Sequence, residues 1–370
     1  MKSPARTFRW GTAAFAVAAL LGPAAGVATA ATPVTSTPPV SGNEATIAVG
    51  TEDVAPVVSP DGSKAYVVAT DANNNVVVTV VDTQADTVTG QLVLGADQWR
   101  PYLALSADGS LLYVLNGQTL SVVDTASLTA LASLTLPDQA RPTGWTPGVT
   151  EGLTLSPDGS TLYLAQDGPE TYRQYGQGRV LEFATAQRAF TTQVQVPASE
   201  LGEVAVRPGS HDVYVGSIAG VLHLSTAGAA PSLVGTVPGT ATAYDYALAF
   251  TPDGSRLFAV NGTGTGAGAL INPATDTVTT NLRLLSGTGE LDYPQVSADG
   301  SRLYVVENDY SNGPSVLAFN ATTGAALPDE TVSGLNEDSA SGLAVGPDGG
   351  TLYVGGTVNG NTGNLQIVNY

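Results

Sequence analysis

Carboxylates recur at one place in this sequence, six to eight residues ahead of the aspartate of a Pro-Asp-Gly-type turn, or of Gly209 where that aspartate is missing. Asp53, Glu151, Glu203, Asp245 and Asp292 hold that position, and Glu337 and Asp338 lie slightly further upstream of the last turn. Carboxylates converging on one point can hold a hard cation such as calcium or a cationic ligand, and two at a suitable separation can do acid–base work. Acids at strand entries serve equally well as solvated loop residues. If they do converge, they raise one another's pKa unless a cation or water intervenes. One repeat breaks the pattern: Trp99-Arg100-Pro101-Tyr102 sets a guanidinium and two aromatic rings among the acids.

A second group lies in the long segment Gln166 to Arg179, where Tyr172, Arg173, Tyr175 and Arg179 offer stacking surfaces and charge-assisted donors. Such side chains on a long loop suit a protein, peptide or glycan ligand, or a carboxylate. Tyr244-Asp245-Tyr246 and Asp309 to Gly313 are candidates for the same surface. Other motifs carry less. His211 lies beside a turn and His223 within a strand-like run, and both read as structural. The glycine-rich run Asn261 to Gly268 has no helix after it, so it is a hairpin connection and not a phosphate loop. Asp71 to Asn75 lacks the spacing of a calcium loop and reads as a hairpin tip.

These residues have to be positioned by a repeat. The turns begin at Pro60, Ala107, Pro157, Pro208, Pro252, Ala298 and Pro347, with spacings of 47, 50, 51, 44, 46 and 49 residues. That is the period of one four-stranded propeller blade. In the first repeat Val57 to Ser59 reads as the inner strand, Ala65 to Ala69 as the second, Val76 to Asp82 as the third and Val88 to Leu94 as the fourth. The seventh repeat ends on Leu365 to Val368 without a fourth strand. Ala45 to Gly50 carries the fourth-strand pattern ahead of the first inner strand, so it is expected to complete the last blade and close the ring. The expected fold is all-β, a seven-bladed β-propeller of four-stranded antiparallel blades spanning residues 44–370. Its Asp-Gly turns lie on one face, and the acids lie at the opposite mouth of the central channel.

Tyr113-Val114-Leu115-Asn116, following Ser106-Ala107-Asp108-Gly109-Ser110 and followed by Val122-Val123-Asp124-Thr125, resembles the YVTN-repeat β-propellers, exported or surface proteins of bacteria and archaea. The likeness spans essentially the whole repeat region. Tyr66 to Ala69, Tyr163 to Gln166 and Phe258 to Asn261 keep the four-residue signature only in part. The resemblance implies a binding or interaction role. It also places the chain beside the lactonase-like seven-bladed propellers, whose acid, base or metal-binding groups gather at the channel mouth.

Composition narrows the partners. Lys2, Arg6 and Arg9 precede the apolar run Ala13 to Leu21 and the small residues Ala28-Thr29-Ala30, the pattern of a secretory signal peptide over residues 1–30. Residues 31–43 read as a flexible Pro/Thr/Ser-rich leader. The formal charge is −19, and losing residues 1–30 removes three basic residues and no acid, giving −22. That sign disfavours nucleic acid. There is no cysteine, and no segment is apolar enough to span a membrane. The expected protein is therefore a secreted monomer, with envelope association as an option, that binds through the loop face around the channel. A hydrolase or lyase using the channel-mouth carboxylates, with or without a divalent metal, is the alternative, and a structural envelope protein is the third reading.

Overall fold

The computed structural model describes residues 45–369, except positions 53, 173, 229, 242–245, 262–266, 284–288 and 310. The signal-peptide and leader segments lie outside the described residues, as do Asp53, Arg173 and Asp245.

Seven antiparallel sheets stand around an axis. Their innermost strands are Ala55–Val58, Tyr102–Leu105, Thr150–Leu155, Leu201–Val206, Tyr246–Phe250, Gly289–Val296 and Ser339–Val345, and each touches the next until the last meets the first. This is the seven-bladed propeller that the repeat predicts. In the first blade the second and third strands, Lys64–Thr70 and Asn75–Asp82, are buried along nearly their whole length. The fourth, Thr87–Ala96, alternates between half-buried and exposed. The cause is position: middle strands are covered on both faces by neighbouring blades, which calls for unbroken valine and leucine, whereas an outer strand meets solvent and needs only a period of two.

Apolar contacts are organised between blades. Seven clusters fill the seven interfaces, each built from the facing sides of two consecutive blades. The repeated tyrosine explains itself here, since its ring packs toward the following blade and its hydroxyl ends on a polar group there. Tyr113 meets Thr185, Tyr163 meets Thr226, and Tyr353 meets Thr83 across the closure. The closure is the expected one: Ala45–Gly50 pairs with Thr362–Asn369, with Ala45 opposite Ile367 and Ile47 opposite Leu365. In the sixth blade the outer position is held differently. Val316 and Val332 exchange backbone bonds of 2.8 and 2.9 Å, Phe319 bridges to Ala326, and Pro328–Glu330 forms a 3₁₀ turn between the two bridges. Pro328 has no N–H to give to a ladder.

Each Asp-Gly turn is a local hydrogen-bonded unit. In the first, Gly62 sits at φ +73°, Ser59 Oγ donates to Asp61 Oδ1 at 2.6 Å, and Ser63 N donates to the same oxygen at 3.0 Å. The fourth turn has no aspartate, yet Gly209 keeps φ at +71°. Hydrogen bonds from the flanking Ser or Thr hydroxyls and from the turn backbone hold Asp61, Asp108, Asp253 and Asp299 at about 2. A carboxylate whose folded pKa lies below its unfolded value near 4 contributes stability above that pH and loses it as pH falls toward the folded value. Stability in urea is therefore expected to fall steeply between about pH 4 and pH 2. Burial raises Asp292 and Glu307, which act in the opposite sense at higher pH. A urea midpoint that stays level from pH 5 to pH 2 would contradict the role given to the turns.

Candidate functional site

The site begins with irregularities in the inner strands. Ladder register slips between Thr150 and Gly152, between Leu201 and Val204, between Asp292 and Gln295, and between Ala340 and Gly342. Every slip lies in the part of the strand away from its Asp-Gly turn. A bulge leaves a residue unpaired and re-aims its side chain, and the residues involved are Glu151, Gly202-Glu203, Tyr293-Pro294 and Ser341. Tyr293 shows the device most clearly: its φ of +53° is unusual for a bulky residue, and its N–H donates to Asp292 Oδ1 at 2.8 Å.

The opposite wall comes from the segment that joins the first blade to the second. Asn116, the fourth residue of the second repeat's signature, accepts from Gln98 N at 2.9 Å and donates to Ala96 O at 2.9 Å. That pins the chain just before Trp99. Trp99 Nε1 then donates to Glu151 Oε1 at 3.2 Å, and the Tyr102 hydroxyl donates to Glu151 Oε2 at 3.0 Å. Arg100 enters the channel, donates to the Tyr293 hydroxyl and lies 3.9 Å from Asp292. Its guanidinium stands 4.9 Å from the Tyr293 ring centre and 5.8 Å from that of Tyr102, within cation–π range. Glu203 accepts from the backbone N–H of Leu248 at 3.1 Å.

Trp99, Arg100, Tyr102, Glu151, Glu203 and Asp292 are thus joined in one cluster. Tyr246 lines the same recess, whose volume is about 90 Å³. Below it the channel opens into a cavity of about 370 Å³, with Arg100, Glu203 and Tyr293 on its walls alongside Leu103, Leu153 and Phe250. Electrostatics follow from this placement. About a third of the Arg100 and Asp292 side chains (33% and 35%) opens onto the channel, and protein surrounds the rest. Burial works against the charge on Arg100, but Tyr102, Asp292, Glu151 and Glu203 outweigh it and hold the guanidinium above its ordinary range. Burial pushes Asp292 up against the pull of Arg100. Tyr102 is raised by burial and then by Glu151.

Other candidates go elsewhere. Tyr172 and Tyr175 belong to a small hairpin, Glu170–Thr171 with Gln174–Tyr175, and are 83% and 53% exposed. They line neither cavity. Arg179 is buried within the third blade: Nε donates to Gln166 Oε1 at 2.8 Å, and its terminal nitrogens donate to Gln193 Oε1 and to the carbonyls of Pro137 and Asp138. Burial lowers its pKa to about 10. It fastens the loop before the third inner strand. Glu337 folds into the seventh blade, where a Cβ on Gly356 would meet its Cγ at 2.5 Å. Among the described residues, no group of three or more His, Cys, Asp or Glu is arranged to hold a metal. No helix among them is long and apolar enough to cross a membrane.

Tyr293 is the site residue that sequence reasoning missed. The available signal was an aromatic residue between Asp292 and Pro294, six residues ahead of the turn aspartate, where the second repeat carries Tyr102. His223 lies in a buried polar network between the fourth and fifth blades, where its ring stacks on Tyr214 at 4.5 Å.

No family model matches the chain, and no curated protein matches it. Among solved structures, a chain of Kuenenia stuttgartiensis hydrazine synthase is similar with a TM-score of 0.64 and 18% identity, over 85% of this chain and 94% of that one. At that identity the likeness shows the fold alone. With 1553 solved chains matching, the architecture is too widely shared to select a function.

Proposed function

We propose that this protein is an exported propeller that binds a small polar ligand at the charged mouth of its central channel. The observation that carries this reading is Arg100: a guanidinium set in a cavity of about 370 Å³, between two tyrosine rings and beside Asp292 and Glu203. A cavity of that size, with a few convergent polar groups above apolar walls, has the form of a ligand pocket. The signal-peptide pattern of residues 1–30, with its basic start, apolar core and Ala28-Thr29-Ala30 site, supports export. The YVTN-like repeat supports a binding role over a catalytic one. The exposed Tyr172 and Tyr175 supply a separate surface on which a protein, peptide or glycan would stack.

Equilibrium dialysis against the low-molecular-weight fraction of yeast extract, with mass spectrometry of what the protein retains, tests the pocket. At least one compound is expected to be retained by the wild-type chain and bound about 10- to 100-fold more weakly by Arg100→Met, the loss appropriate to a charge-assisted hydrogen-bond pair. Retention that is absent, or equal in the two proteins, would remove the pocket reading.

A further inference from the structure

We infer that the ligand of the channel mouth is a zwitterion carrying adjacent carboxylate and ammonium groups, the chemistry of an α-amino acid. The inference rests on the pocket reading above and adds the ligand class.

Three features of the site converge on it. First, Arg100 presents unused donors. Among the described residues its one hydrogen bond goes from a terminal nitrogen to Tyr293, and Asp292 at 3.9 Å is beyond hydrogen-bond reach. A guanidinium has five N–H groups in a planar fork, and the partner that matches that fork is a carboxylate. Second, this cation does not stand alone. Asp292, Glu151 and Glu203 line the same recess as Arg100. A plain carboxylate docking on Arg100 is repelled by these acids. A plain amine drawn to the acids is repelled by Arg100. A ligand with both charges on neighbouring atoms satisfies both at once. Third, the channel continues below the charged mouth as a cavity of about 370 Å³ bordered by Thr154, Gln295 and Ser341 as well as by Val57, Leu153 and Phe250. The ligand's own side chain has room to point down the axis while the head group stays at the mouth.

The specificity follows from the same pairing. A site built around paired charges rejects an analogue that lacks one of them, because the abandoned protein charge is left in a poorly solvated place. Glu151 is in addition a positioning residue, since its two oxygens accept from Trp99 and Tyr102 and fix the loop carrying Arg100.

Isothermal titration of the full chain with L-leucine, 4-methylpentanoate and 3-methylbutylamine decides the matter, the last two being leucine without its amine and without its carboxylate. Leucine is expected to bind, and each analogue at least 30-fold more weakly. Arg100→Lys keeps the charge but not the fork and should weaken leucine by about 10-fold. Glu203→Gln should weaken leucine while leaving 4-methylpentanoate unchanged or improved. Equal affinity for leucine and 4-methylpentanoate would show a simple carboxylate site, and equal affinity for leucine and the amine a simple cation site. Either result overturns the zwitterion. So does the absence of heat with all three, and if dialysis then shows an Arg100-dependent compound of another class, the pocket stands and only the ligand class falls.

Discussion

Deleting residues 1–50 is expected to destabilise the propeller by about 3–6 kcal/mol, whereas deleting residues 1–43 should leave its stability unchanged. The two truncations differ by the strand Ala45–Gly50, which occupies the outer position of the seventh blade. Ile47 and Val49 are 8% and 3% exposed and belong to the cluster between the seventh and first blades. Burying a side chain of that kind contributes about 1.5–3 kcal/mol. The strand also covers the edge of Thr362–Asn369, whose open N–H and C=O groups would otherwise offer a template for another chain. Differential scanning calorimetry of the two truncated proteins, with light scattering to follow association, provides the check. Equal melting temperatures would mean that the ring does not depend on its closing strand.

The second large effect lies between the fourth and fifth blades. His223 Nδ1 is 2.7 Å from Asp276 Oδ2, and the Tyr214 hydroxyl donates to Asp276 Oδ1 at 2.7 Å. On the other side of the ring His223 Nε2 is 3.3 Å from Asp212, which in turn pairs with Arg207 at 3.1 Å. Removing the Asp276 carboxylate takes away the Nδ1 partner of the imidazole and leaves the buried Tyr214 phenol only the Pro273 carbonyl, 3.1 Å away. Asp276→Ala should therefore cost about 2–4 kcal/mol. Asp86→Ala is the matched control, since Asp86 occupies the same turn position of the first blade with φ of +53° against +49° for Asp276, so the backbone penalty is shared. The difference between the two variants in urea unfolding isolates the network. A difference below about 0.5 kcal/mol would show that the cluster is no more than a surface feature.

How much could be read before the structure depends on how local each determinant is. The Asp-Gly turns were legible because their hydrogen bonds span only a few residues: Ser59, Asp61, Ser63 and Lys64 satisfy one another within the turn. Even the one visible displacement has a local cause. The first inner strand is Ala55–Val58 and not Val57 to Ser59, because the Ser59 side chain opens the turn by accepting from Lys64 N at 3.0 Å. The closing strand was legible for a different reason: a repeat with a missing member defines what must fill it, and the fourth-strand pattern at Ala45 supplied it.

The candidate site was legible as a set of acids with Trp99, Arg100 and Tyr102 among them. Asp292, Glu151 and Arg100 were visible by position, whereas Arg179 read as a ligand-binding cation at the end of the long loop, and nothing in the residues beside it showed that it is buried. Arg179 is spent on Gln166, Gln193 and two carbonyls, whereas Arg100 faces the channel.

The sequence alone determined the number of blades, their order, the face that bears the turns and the strand that shuts the ring, because each follows from a short motif repeated at a fixed period. Tertiary structure decided which side chains meet. The bulges at Glu151, Glu203 and Tyr293 turn side chains into the channel, and the Arg100–Tyr293 contact joins residues 193 positions apart. Such meetings depend on ladder register and on the closure of the whole ring, so no local pattern of residues encodes them.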